Sequence, residues 1–137
     1  MRRLIFQVSV GKPSKLYEHC IDSVAKYCAK YDIEHIVLTQ PKLRIKPDIF
    51  TSGRSEASYM KYGGYLPIFE KENAFDYIDR FEQIAIVDAD IYIRHDATNI
   101  FDDFGTDHAF GAVVEREMDI QDWYGGKIKN YSAMQYR

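Results

Sequence analysis

Two aspartates one residue apart, Asp88 and Asp90, close the apolar run Ile84-Ala85-Ile86-Val87. In an extended chain residues i and i+2 project to the same side, so this spacing predicts two carboxylates aimed at one spot. Like charges that close repel each other unless a cation sits between them, and hard carboxylate oxygens suit Mg2+ or Mn2+. An ion held there can bridge the two phosphates of a nucleoside diphosphate and act as a Lewis acid while the diphosphate leaves. The end of a strand in an open α/β sheet is also where ligands usually bind. Asp-x-Asp is a frequent pattern by itself. What separates this copy from a solvated acidic loop is the apolar strand running directly into it.

Other residues are weaker candidates. His95 follows Asp90 by five positions and reads as a surface turn, while His19 lies on a helix and His35 precedes a strand. Glu115 and Glu117 follow a strand and read as a solvated pair. Trp123-Tyr124-Gly125-Gly126 suits either an aromatic platform for a sugar or a packing surface. The sequence shows neither a Ser-His-Asp nor a Cys-His arrangement, and Gly63-Gly64 makes no phosphate loop. Cys20 and Cys28 lie eight positions apart on a predicted helix, a spacing that matches no zinc pattern. They read as reduced thiols in or near the core, in keeping with a reducing compartment.

The elements that must position the aspartates follow from hydrophobic patterning. Leu4 to Val10 reads as a buried strand that ends at Gly11-Lys12-Pro13. Ser14 can cap a helix whose apolar face is Leu16, Cys20, Val24, Tyr27, Cys28 and Tyr31, spaced by three and four. Ile36-Val37-Leu38 is a second strand, so the opening is β-α-β, the start of a parallel sheet. Residues 41 to 58 hold Pro41, Pro47 and Gly53 and read as an irregular connection. Leu66 to Ile78 suits a helix with Pro67 in its first turn. The run Ile84–Val87 suits the centre of a sheet, with Ile91-Tyr92-Ile93 continuing extended. Asn99–Phe104 predicts a helical turn, and Ala109–Val114 a further strand. The expected organisation is one domain over 1–137, with a core over 1–115 and a tail over 116–137.

Composition narrows the class. In 137 residues, 46% apolar is enough for a real core. A net charge of -3 without a basic run argues against nucleic acid as the main partner, and a divalent ion would let an acidic chain hold a diphosphate. The start, Met1-Arg2-Arg3-Leu4-Ile5-Phe6-Gln7-Val8, has too short an apolar run for a signal peptide. No stretch approaches the roughly 18 apolar residues of a membrane span. The expected setting is soluble and cytoplasmic. Aromatic residues near the tail would favour a homo-oligomer.

The segment Tyr77-Ile78-Asp79-Arg80-Phe81-Glu82-Gln83-Ile84-Ala85-Ile86-Val87-Asp88-Ala89-Asp90-Ile91-Tyr92-Ile93 resembles the donor-site core of GT-A glycosyltransferases. It is most similar to the glycogenin and lipopolysaccharide galactosyltransferase group. The continuation His95-Asp96-Ala97-Thr98-Asn99-Ile100-Phe101-Asp102 matches that group's next motif, and the resemblance spans roughly residues 3 to 115. It implies a Rossmann-like α/β fold with a mainly parallel central sheet flanked by helices, short or truncated. It also implies a metal-dependent transfer of a sugar from a nucleoside diphosphate sugar, with a UDP-sugar favoured, to a carbohydrate or other hydroxyl acceptor. Asp90 would be the stronger ligand of Mn2+ or Mg2+. Asp88 would touch the ribose, the metal or both, beside Ala89, and Val8, Ser9, Val10 and Gly11 would cradle the base. Lys71, on the preceding helix, would reach the sugar and the motif carboxylates, and Arg54 would contact phosphate.

Members of that group continue further. They add a strand carrying Asn-x-Gly and a later His as a third metal ligand. No Asn-x-Gly is visible here, and His108 sits at the edge of a predicted strand. The resemblance therefore implies the donor-binding part alone, with a non-catalytic nucleotide-sugar-binding or self-assembling module as the alternative. Haloacid-dehalogenase-like phosphatases also place Asp-x-Asp after an apolar strand. Their fifth motif position is Thr or Val where this chain has Tyr92, and their motif usually ends the first strand.

Overall fold

A computed structural model of the protein describes residues 1–42, 53–62, 67–108 and 110–112, without the side chains of 53–55, 58, 62, 67 and 68. The fold is α/β, with a parallel sheet of three strands in the order β2-β1-β3. Strand β1 (Arg3–Val8) pairs with β2 (Glu34–Leu38) from Leu4↔Glu34 to Val8↔Leu38. It pairs with β3 (Gln83–Ile86) from Arg3↔Gln83 to Phe6↔Ile86. Leu4, Ile5, Phe6 and Gln7 are buried, as a strand covered on both faces requires. The central strand among those described is thus β1, correcting the expectation for Ile84–Val87. The latter run flanks β1, and Ile86 is exposed.

Helix α1 (Lys15–Tyr31) begins where Ser14 Oγ accepts from Tyr17 N–H. It ends at Asp32, whose φ of 54° is the left-handed conformation that an Asp tolerates at a helix end. Ile33 N–H then closes on the Cys28 carbonyl at 3.0 Å. Cys20, Ser23, Val24, Tyr27 and Cys28 face inward. Leu16 is exposed, because the buried stripe starts one turn later at Cys20. Side chains alternate across β1. Ile5 packs with Val24, Tyr27, Cys28, Ile33 and Phe101, while Leu4 and Phe6 pack with Ala74 and Phe81.

Two local expectations need correction. Within the stretch read as irregular, Gly53–Tyr62 is an α-helix, α2. The helix after Pro67 is a 3-10 helix over Pro67–Tyr77, and the side chains supply a reason. A 3-10 turn brings i and i+3 onto one line, which puts Glu70 and Asn73 side by side and buried. Asn73 Nδ2 donates to the Glu70 carbonyl at 2.8 Å and to its carboxylate at 2.7 Å, and this side chain competes with regular helical bonding. The stretch Ile91-Tyr92-Ile93 pairs with no strand among the described residues.

Helix α3 (Ile100–Phe104) starts at Asn99, whose Oδ1 accepts from Phe101 N–H at 3.1 Å. The chain divides into two compact units, Met1–Asp103 and Phe104–Arg137. In the second, residues 110–112 form no strand, and the remainder of the predicted strand 109–114 lies outside the described residues. Among the described residues no helix is long and apolar enough to cross a membrane.

Candidate functional site

The C-terminal ends of β1, β2 and β3 share one edge, because all three strands run parallel. After β1, the backbone N–H of Ser9 donates to the Leu38 carbonyl at 2.9 Å and that of Gly11 to the Thr39 carbonyl at 3.4 Å. Ser9 is buried, and Gly11 takes a φ of 88° that other residues rarely adopt. The chain from Val8 to Gly11 is therefore tied along this edge. After β3, Val87 N–H donates to the Phe6 carbonyl at 3.0 Å, and the backbone then turns. Ile91 N–H closes on the Asp88 carbonyl at 3.1 Å, enclosing Ala89 and Asp90. The premise that Asp88 and Asp90 lie on an extended chain is thereby overturned, since Asp88 opens a turn in which Ala89 and Asp90 are the central residues.

Lys71, on the 3-10 helix, places its ammonium against Asp88 Oδ1. Lys71 is part-buried, while Asp88 and Asp90 are exposed and Ala89 is buried. Lys71 and Asp88 are thus together, with Ala89 packed inward between the two aspartates. Arg54 lies in the first turn of α2, and its side chain falls outside the described residues. So do Glu115, Glu117 and Trp123-Tyr124-Gly125-Gly126. His108 stacks edge-on against Phe104 with centroids 5.4 Å apart.

The segment from Asp88 to Ile100 is held by side chains. Gln7 Nε2 donates to the Asp88 carbonyl at 3.1 Å and Cys20 Sγ to the Asp90 carbonyl at 3.4 Å. Ile93 N–H donates to Ser23 Oγ at 2.9 Å. Lys30 Nζ reaches the His95 and Ala97 carbonyls, and Tyr31 hydroxyl donates to Ala97 at 2.7 Å. Tyr27 hydroxyl donates to the Thr98 carbonyl and accepts from Ile100 N–H, both at 2.8 Å. Burial raises the Tyr27 pKa above the ordinary phenol value, so the proton it donates is retained. Burial pushes the Cys28 thiol up to about 11, leaving it an unreactive packing group. A helix stripe expected to supply apolar contacts thus supplies polar ones as well.

Sequence reasoning assigned no role here to Gln7, and it read His35 only as preceding a strand. His35 Nε2 lies 2.8 Å from Gln7 Oε1, and burial lowers the His35 pKa. The available signal was Gln7 itself, an amide interrupting a run that is otherwise apolar, since a buried polar group needs partners.

Two carboxylates, one of them against an ammonium, form a limited donor set. Among the described residues no three of His, Cys, Asp and Glu gather around one point. Mg2+ is usually held by one or two carboxylates, water and substrate phosphates. A site of two carboxylates would need water and substrate oxygens to complete the shell of such an ion. A separate cavity of about 150 Å³ lies between α1 and residues 92–95, lined by Lys26, Lys30 and Arg94 among others. Its cations are already engaged: Lys26 with Asp22, Arg94 with Asp96, and Lys30 with two carbonyls.

No family model, curated protein or solved structure matches this chain.

Proposed function

We propose that this chain is the donor-binding part of a GT-A-type, metal-dependent glycosyltransferase, acting on a nucleoside diphosphate sugar. The observation that carries the reading is the pairing of Lys71 with Asp88 at the C-terminal end of a parallel strand. Supporting it are the α/β sheet, whose strand ends form the usual ligand edge, and the tied backbone of Ser9 and Gly11 beside it.

In this reading Asp88 and Asp90 would hold Mn2+ or Mg2+, which when bound supplies positive charge to a departing diphosphate. Lys71 neutralises Asp88 in the free chain. Its three donors can turn to phosphate or sugar oxygens when a donor enters. Val8, Ser9, Val10 and Gly11 offer a backbone wall for the base, and Ala89 leaves room between the two carboxylates.

A second reading, donor binding without transfer, draws on the lack of a third His, Cys, Asp or Glu beside the pair among the described residues. Calorimetric titration of UDP and UDP-sugars with and without Mn2+ tests both. The expected result is metal-dependent binding, lost in Asp90→Ala and weakened roughly tenfold in Lys71→Met, a change on the scale of one charge-assisted contact. Binding with no turnover on any acceptor would favour the second reading. Absence of binding with or without Mn2+ would overturn both.

A further inference from the structure

We infer that Gln7 is the positioning residue of the Asp88–Asp90 turn, fixing it to the central strand and, through His35, to β2. The positional claim stands on geometry. Its consequence for ligand affinity rests on the donor-site reading above.

Gln7 is fully buried in β1. A buried amide left unpaired is costly, and here both ends are used. The Asp88 carbonyl can only accept, so the Gln7 atom facing it must be the nitrogen. Gln7 Oε1 therefore faces His35, and His35 must carry a proton on Nε2. One backbone acceptor thus dictates the amide orientation and, through it, a histidine tautomer on the far strand. The opposite amide orientation would set two acceptor oxygens against each other.

The same Asp88 carbonyl also accepts from Ile91 N–H. Its two lone pairs are thereby both committed, one to the turn and one to the sheet. Ser23, Lys30, Tyr31 and Tyr27 brace the chain only from Ile93 onward. Within 88–90, the other side chain on a backbone carbonyl among the described residues is Cys20, whose thiol is a weak donor. Gln7 therefore supplies the strong tether at the residue from which the Asp88 carboxylate projects.

The test uses the whole chain with Gln7→Met, Gln7→Glu and Ser23→Ala. Three quantities are read: amide hydrogen exchange at Ile91, the His35 ring tautomer from nitrogen chemical shifts, and Mn2+ affinity in the presence of UDP from water-proton relaxation. Gln7→Met should speed Ile91 exchange roughly tenfold beyond any global change, remove the bias toward Nε2–H, and weaken Mn2+ binding to a similar degree. Gln7→Glu keeps size and an acceptor for His35 and, measured above the pKa of the new carboxyl, offers the Asp88 carbonyl no donor. It should speed Ile91 exchange while His35 keeps its Nε2 proton, and it carries the test if Gln7→Met fails to fold. Ser23→Ala removes a neighbouring brace of the same segment and should leave Ile91 exchange and Mn2+ affinity within about twofold of wild type. If both Gln7 variants leave Ile91 exchange at the wild-type ratio, or Ser23→Ala moves it equally, the proposal is overturned. Failure of the wild type to bind Mn2+ with UDP present would remove the donor-site reading, and the exchange data would still decide the role of Gln7.

Discussion

The two faces of the sheet are held by different physics. On the α1 face, a stripe of side chains grips the backbone of residues 88–100 at named atoms: Gln7, Cys20, Ser23, Tyr27, Lys30 and Tyr31. On the opposite face, the 3-10 helix is held mainly by Leu4, Phe6, Ala74 and Phe81 packing together. Its charged link to the 88–90 turn is the Lys71–Asp88 pair, with the Asp88 side chain about half exposed. Apolar packing is strong and tolerant of small displacement, whereas hydrogen bonds specify register. One face therefore fixes where the turn sits. The other holds a cation that can let go, because half-exposed ion pairs contribute only about 0–1 kcal/mol.

Substitutions can break or sharpen this contrast. The largest effect should come from Phe6→Ala, which empties a fully buried site against Tyr77, whose ring centroid lies 5.9 Å away. Urea unfolding should show a loss of about 3–5 kcal/mol, spread over the whole cooperative unit. Tyr27→Phe should cost less, about 1–3 kcal/mol, since Ile100 N–H and the Thr98 carbonyl both lose a partner. Its signature is local: amide exchange at Ile100 and Phe101 should rise more than at β1. A uniform rise in exchange would mean that the hydrogen-bond stripe adds bulk stability and not register.

The smallest effect is one of pH. Burial holds the His35 pKa in the folded state below its ordinary 6.5. The unfolded chain then binds the proton first, so stability is complete above about pH 6.5 and declines as pH falls through the lowered value. Thermal unfolding from pH 7.5 downward should show this decline, and His35→Phe should flatten that part of the profile. An unchanged slope in the variant would assign the decline to other groups.

Much of this architecture can be read from local pattern. The apolar run of β1, the Ser14 cap and the three-and-four spacing of α1 give the β-α-β opening, and Ile84–Val87 gives β3 to within a residue. What escapes pattern depends on partners distant in sequence. Helix α2 is hidden by its own Gly53 and the nearby Pro47. The 3-10 form of Pro67–Tyr77 depends on the Asn73 side chain bonding Glu70. Ile91–Ile93 has strand-like composition, yet its backbone bonds go to the Asp88 carbonyl and to Ser23 on a helix, which no periodicity encodes. At the candidate site the Asp-x-Asp spacing and a helix lysine are visible in the sequence. The turn that carries the aspartates and the buried Gln7 behind them emerge only in three dimensions.

The strand order carries a consequence for the order of assembly. Joining β1 to β2 closes a loop of about 30 residues, while joining β1 to β3 closes one of about 80, an entropic difference of about 0.9 kcal/mol against the longer closure. Local pairings generally form ahead of distant ones. A nascent chain can thus assemble its β-α-β half, with Gln7 and His35 already in reach of each other, before residues 83–91 arrive. The aspartates would then be delivered last, onto a template whose hydrogen-bonding amide is already in place.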